Sequence, residues 1–151
     1  AVGLERDKLL QQLEGMERVE AWRGGCAMHR GIEAVSLAAG HLDYGAKILD
    51  AFDYVIGSIH SLFSMEGDAM TKRVLAAMDD PHLTILAHPT GRLLLTREPY
   101  PINIPAVLEK AAQVGVAVEL NADPHRPDPD WRVCRPAPAP GATRETRPRA
   151  H

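Results

Sequence analysis

Three residues of metal-ligating type stand where strand geometry could bring them together. His60 follows the run Tyr54-Val55-Ile56-Gly57-Ser58-Ile59, and His88 follows Leu83-Thr84-Ile85-Leu86-Ala87, both short and rich in β-branched or aliphatic residues. Glu33 lies near the end of an earlier short run, Ala27 to Ala34. A further run, Val116-Ala117-Val118-Glu119-Leu120, ends at Asn121-Ala122-Asp123, so Asn121 and Asp123 join the candidates. One histidine after an apolar strand reads as a core or capping residue. Two in consecutive units, with a carboxylate at the end of an earlier strand, turn the reading toward a metal site. Imidazole and carboxylate together suit Zn²⁺, Mn²⁺ or Fe²⁺ and suit bare Mg²⁺ less well.

The elements that must carry these residues follow from periodicity. Between the first two histidine-tipped runs, Asp68 to Met78 places Met70, Val74 and Met78 (or Ala77) on one helical face. Between the second and the last, Ile104 to Val114 reads as a helix, with Pro105 suited to its first turn and Gly115 to its stop. Strand, helix, strand, helix, strand at this spacing predicts βαβ units and a parallel sheet or barrel, an α/β fold. In such folds chemistry gathers at the carboxyl ends of the strands, where the loops lie open. Upstream, Leu4 to Glu20 predicts an amphipathic helix with Leu9, Leu13 and Met16 on one side, and Ala46 to Asp50 a short helix. The chain opens on that first helix without a preceding strand, as a piece of a longer domain would.

At 151 residues, with 45% hydrophobic and 25% charged residues, the chain fits one globular domain and excludes wholesale disorder. No apolar run approaches the roughly 18 residues of a membrane span, and Ala1-Val2-Gly3 lacks the pattern of a signal peptide, so the cytoplasm is the expected compartment. Cys26 and Cys134 have no zinc-finger or disulfide spacing and read as buried thiols. Residues 132–151 hold five arginines and one glutamate, so of the net charge of −3 the preceding residues carry −7. That body is no basic nucleic-acid clamp and is compatible with divalent cations.

After Asn121 the composition shifts. Seven of the twelve prolines fall in residues 121–151, and Pro136-Ala137-Pro138-Ala139-Pro140 excludes a helix interior or central strand. The expected organisation is a folded unit over residues 1–135 and a disordered proline- and arginine-rich tail over 136–151.

Longer motifs now carry a resemblance. The runs FDYVIGSIHS (Phe52 to Ser61), ILAHPTGRLLLTREPY (Ile85 to Tyr100) and VELNADPHR (Val118 to Arg126), in this order and spacing, resemble the PHP (polymerase and histidinol phosphatase) domain. The nearest likeness is to the C-terminal PHP domain of bacterial family X DNA polymerases. RGIEAVSL (Arg30 to Leu37) resembles that family's Gly-Ile-Glu-Val-Asp segment, and GHLDY (Gly40 to Tyr44) the turn that follows it. The likeness covers about residues 3–135.

The resemblance implies a distorted seven-stranded (β/α) barrel, here a partial one, holding up to three divalent metals: Mn, Zn, Fe or Mg. It implies a metal-dependent phosphoesterase whose nucleophile is a metal-bound water, acting as a 3′–5′ exonuclease in DNA 3′-end processing and repair. It also implies a polymerase module in a longer parent chain. Residue by residue, Glu33 falls on the family's bridging glutamate, His60 on the histidine of Ser-x-His-Ser, and His88 on the histidine of His-Pro-Thr-Gly. The family's early His-x-His pair is absent from this chain, and Val35 stands where the family has aspartate. An ungapped extension places Arg149-Ala150-His151 at the family's Asp-x-His pair, leaving His151 as a further candidate ligand. A shifted reading frame after Arg135 and a diverged sequence both account for that departure.

Arg92 and Arg97, just beyond His88, are candidate contacts to the phosphate of DNA or of a monoester, against the plainer reading of pairing with local carboxylates such as Glu98. His82 is expected to face solvent, His125 to be an exposed loop residue, and His29 and His41, in or beside turn-rich segments without partners at a usable spacing, not to be ligands. Ser61 adjoins His60, but neighbours on a strand point apart and no serine–histidine pair is implied. Trp22 and Trp131 read as packing residues. Three functional readings follow: a PHP-type phosphoesterase acting on DNA 3′ ends, a small-molecule phosphatase of the histidinol-phosphate kind, and a catalytically silent fragment.

Overall fold

The computed structural model describes residues 6–23, 27–36, 38–134 and 144–147. It is an α/β fold in the order α1 (Arg6–Arg23), β1 (Gly31–Val35), α2 (Ala46–Leu49), β2 (Tyr54–Ser58), α3 (Gly67–Ala77), β3 (Leu83–Leu86), α4 (Ile104–Val114), β4 (Ala117–Asp123), β5 (Arg126–Asp128), a 3₁₀ turn (Trp131–Cys134) and β6 (Arg144–Arg147). Strands β1 to β4 lie side by side in sequence order and all pair in parallel. Consecutive order without a switch point is that of a barrel segment rather than of a doubly wound sheet. The crossover helices α3 and α4 contact each other.

Local chemistry explains the helices on either side of the β3 unit. Asn103 caps α4 by accepting the Ala106 N–H at 3.2 Å, Pro105 occupies the first turn, and Gly115 ends the helix at φ +79°, a conformation that costs a residue with a Cβ. Met70, Val74, Ala77 and Met78 of the α3 segment all face the core, packed with Leu83, Leu86, Val107, Ala111, Val116 and Val118. Met70 and Val107 have no exposed surface, and burying a side chain of this kind contributes about 1.5–3 kcal/mol. A second cluster joins Leu9 of α1 to Ile32, Ala34, Leu42, Leu49 and Val55. No helix among the described residues is long and apolar enough to cross a membrane.

Several expectations change. The strand expected from Ala27 begins at Gly31 and runs to Val35. Trp22, expected to pack, is 82% exposed, because the buried face of α1 is set by Leu9 and Leu13. Strand β5, hidden in sequence by its prolines, forms a hairpin with β4 in the register Asn121↔Asp128 to Asp123↔Arg126; proline is tolerated where a sheet does not need its N–H. Arg144–Arg147 forms a strand parallel to β4, in the register Val118↔Arg144 to Asn121↔Arg147, so these four residues depart from the disordered tail expected over 136–151. The segment is free of proline, and β4 offers it backbone donors and acceptors. Pro136 to Pro140 and His151 lie outside the described residues, as do Cys26 and the side chains of Trp131 and Cys134.

Candidate metal centre

Glu33 sits within β1 and alternates with the buried Ile32 and Ala34, so its side chain points away from that cluster. Its register partner in β2 is Ile56, and both line one cavity of about 350 Å³ together with His60, Ala87, His88, Glu119, Asn121 and Arg126. His60 follows the end of β2 by two residues and His88 follows the end of β3 by two. Parallel pairing of these strands therefore sets both histidines on one rim.

The three side chains meet. His60 Nε2 lies 3.2 Å and His88 Nε2 3.6 Å from the same Glu33 oxygen, Oε1. The imidazole rings stack with centroids 5.5 Å apart at 12°. One ligand atom from each residue lies within 4.8 Å of the others. Ligands at about 2.0–2.2 Å from one cation stand at most roughly 4.4 Å apart, so small side-chain rotations close this set on an ion. Both imidazoles turn Nε2 toward one Glu33 oxygen, so each presents a ligand nitrogen to the same point, while the buried His88 Nδ1 has no hydrogen-bond partner among the described residues. The donors present fit a divalent cation, with two imidazoles and one carboxylate favouring Zn²⁺, Mn²⁺ or Fe²⁺.

The electrostatics hold these donors in their binding forms. The imidazole of His88, aided by the charge of His60, outweighs partial burial and holds the Glu33 carboxyl down at about 2. At 3.6 Å the His88 contact is electrostatic rather than a well-formed hydrogen bond. Burial pulls the His60 imidazole below its ordinary value, the neighbouring Glu33 opposes this, and His88 and Arg126 add to it. At neutral pH Glu33 is therefore anionic and His60 uncharged, the states a cation requires of its ligands.

The loop bearing His88 is pinned from three sides. His88 has φ +33°, an unfavourable conformation for a residue with a Cβ, and such a conformation persists only where the surroundings impose it. Its N–H donates to Glu119 Oε2 at 2.8 Å, and its carbonyl accepts from the Tyr100 hydroxyl at 3.3 Å. Two residues on, Thr90 donates its N–H and hydroxyl to Asp128 Oδ1 at 3.0 and 2.8 Å, and Arg92 donates its N–H to Asp128 Oδ2 at 3.2 Å. Burial lifts the Asp128 carboxyl above its ordinary value, although the donors from Thr90 and Arg92 oppose the rise.

The other candidates disperse. Arg92 pairs with Asp130 at 3.6 Å, and Arg97 donates to the Gly91 carbonyl at 2.6 Å while lying 4.2 Å over the Phe63 ring. Neither lines the cavity of Glu33, His60 and His88. Asn121 does line it; Asp123 instead accepts the His125 N–H at 2.8 Å. His125 is exposed, as expected, and so are His29 and His41. His82 differs: its ring bridges Asp80 at 2.8 Å and Asp50 at 2.9 Å and is largely covered, because the turn before β3 lies beside the end of α2.

Two residues of the cavity were not singled out from the sequence. Glu119 is 8% exposed, and a carboxylate inside the apolar run Val116 to Leu120 is the signal that could have found it. Arg126 is visible only through the hairpin that turns it back onto β4. Its Nε is buried without a hydrogen-bond partner among the described residues, while the residue lines the cavity.

No protein-family model matches the chain. It is 38% identical over 128 residues to the DNA polymerase/3′-5′ exonuclease PolX of Bacillus subtilis, an alignment covering 85% of this chain and 22% of that protein. It is 39% identical over 95 residues to a probable phosphatase of Clostridium acetobutylicum, covering 61% of this chain and 36% of the relative. A probable phosphatase of Yersinia pestis is 34% identical over 100 residues, covering 64% and 38%. The chain thus spans between about a fifth and two fifths of the length of these relatives. The similarities agree with the resemblance carried by the three long motifs.

Proposed function

We propose that this chain, whose sequence likeness is that of a PHP-type domain, is a metal-dependent phosphoesterase unit that trims DNA 3′ ends within a longer cytoplasmic polymerase chain. The observation that carries the reading is the meeting of Glu33, His60 and His88 on the cavity that also holds Arg126. Glu33, His60 and His88 would hold the cation. A divalent cation bound there supplies Lewis acidity and an acidified water for attack on phosphorus. Arg126 presents forked N–H donors to the non-bridging phosphate oxygens, the task first assigned to Arg92 and Arg97. Glu119 holds the His88 backbone, and Ile56 and Ala87 give the cavity an apolar wall.

Three protein ligands suffice for one catalytic ion but do not space several ions to clamp both attacking and leaving oxygens. The expected behaviour is therefore weak divalent-metal binding with little phosphoesterase activity beside that of an intact PHP domain. The test is Mn²⁺-stimulated 3′–5′ degradation of a labelled oligonucleotide, run beside hydrolysis of a small phosphomonoester, for the wild type, His60→Ala and His88→Ala. Activity that both variants abolish supports the centre; activity that neither variant changes overturns it. Turnover of the monoester alone would assign the site to small phosphates instead of DNA.

A further inference from the structure

The strongest feature outside the cavity is a buried cation. Arg73 of α3 is 2% exposed, and its helix neighbours Met70 and Val74 belong to the larger apolar cluster. Its guanidinium donates to the Ser61 carbonyl at 2.9 Å, to the Ser36 carbonyl, and to the Met65 sulfur at 3.6 Å. Burying a guanidinium is costly, and a surface-type residue in the core needs a reason that packing does not supply. The two carbonyls it joins lie in different strand–loop junctions. Ser61 is the residue after His60, and Ser36 follows β1, three residues from Glu33.

We propose that Arg73 is a positioning residue for the centre of Glu33, His60 and His88: it ties the junction after β1 to the junction after β2 and thereby sets the separation of Glu33 from His60. This rests on the proposed metal centre and adds to it a residue outside the ligand set. Both junctions are irregular enough to need a tie. The Ser36 N–H reaches across to the Ser58 carbonyl at 2.8 Å, and Ser36 forms an isolated bridge with Leu42 as the chain turns back. In that turn Gly40, at φ +88°, lies against α3 so closely that a Cβ would come within 2.5 Å of Ala76 and 2.8 Å of the Arg73 carbonyl. On the other side Leu62, next to Ser61, sits at φ +56°, a conformation its surroundings must enforce. Guanidinium geometry matters because one planar fork serves two acceptors from fixed directions, which an ammonium cannot reproduce.

The test uses Co²⁺ as probe, since its visible spectrum reports ligand geometry, with binding followed by titration of the whole chain. Arg73→Met and Arg73→Lys are compared with wild type and with Val107→Ala, a core change in α4, which belongs to neither junction. Arg73→Met is expected to weaken Co²⁺ binding about tenfold and to shift the visible band, with Arg73→Lys recovering part of both, the loss typical of residues that orient ligands without touching metal. Val107→Ala is expected to lower the thermal midpoint while leaving affinity and band unchanged. Wild-type affinity and band in Arg73→Lys, or equal loss in Val107→Ala, would overturn the proposal, and Arg73→Lys decides the matter if Arg73→Met does not fold. Absence of any Co²⁺ binding by the wild type would instead remove the metal centre itself, and Arg73 would lose its role with it.

Discussion

Glu119, in the interior of β4, accepts the backbone N–H of His88 at 2.8 Å and thereby fixes the turn that presents the His88 ring. Glu119 is 8% exposed, so the bond is made largely out of contact with water. Glu119→Ala leaves a buried N–H without an acceptor and is expected to cost about 1–3 kcal/mol in urea unfolding, whereas Glu119→Gln, which keeps a carbonyl acceptor, costs about 1 kcal/mol or less. Equal losses for the two variants would show that the lost charge, not the lost acceptor, sets the cost.

Arg126 and the two arginines of the His88 loop make opposite predictions about anions. Arg126 lines the cavity with its Nε unpartnered among the described residues, while Arg92 and Arg97 are committed to Asp130 and to the Gly91 carbonyl. In the Mn²⁺-loaded protein, Arg126→Met is expected to weaken inorganic phosphate binding by about tenfold or more, the loss of a charge-assisted hydrogen bond. Arg92→Met and Arg97→Met should leave it unchanged. Calorimetric titration with phosphate measures all three.

Asp128 has no exposed surface and takes three donors from Thr90 and Arg92. Removing it strands all three beneath the loop of His88. Asp128→Ala is expected to cost about 3 kcal/mol or more in chemical denaturation and to weaken Mn²⁺ binding as the loop loosens. A stable Asp128→Ala protein with wild-type metal affinity would show that Tyr100 and Glu119 hold the loop alone.

His82 supplies a pH dependence away from the cavity. Hydrogen bonds donated by its ring to Asp50 and then to Asp80 raise its pKa above the ordinary value. A folded-state value above the unfolded one means stabilisation that is fully present below about pH 6.5 and is lost as pH rises through the raised folded value. Wild type should therefore exceed His82→Gln in unfolding free energy at pH 5.5, by less than about 1 kcal/mol for so solvent-accessible a pair of carboxylates, and the excess should vanish near pH 9. Urea denaturation at the two pH values checks the sign.

Some of this was legible in the residues. Val74 and Met70 repeat at helical spacing, and the β-branched runs before His60 and His88 are strands in any context that buries them, so the βαβ units follow from local pattern. His60 and His88 were readable as rim residues because a parallel sheet sends every strand end the same way. Trp22 was misread because periodicity says which residues share a face, not which of two neighbouring faces finds a partner. The pairing of Arg144–Arg147 was not legible because edge pairing depends on what β4 offers, which lies outside the segment.

By itself the sequence determined the order and type of the central elements and the identity of Glu33, His60 and His88 as residues able to bind metal, since hydrophobic period and ligand chemistry are local properties. Only the tertiary structure decided that one Glu33 oxygen stands 3.2 Å from His60 and 3.6 Å from His88, that Arg126 rather than Arg92 faces them, and that Arg73 is buried between two strand–loop junctions. These depend on strand register and on the β4–β5 hairpin, in which contacts between residues far apart in sequence set distances. No spacing along the chain encodes them.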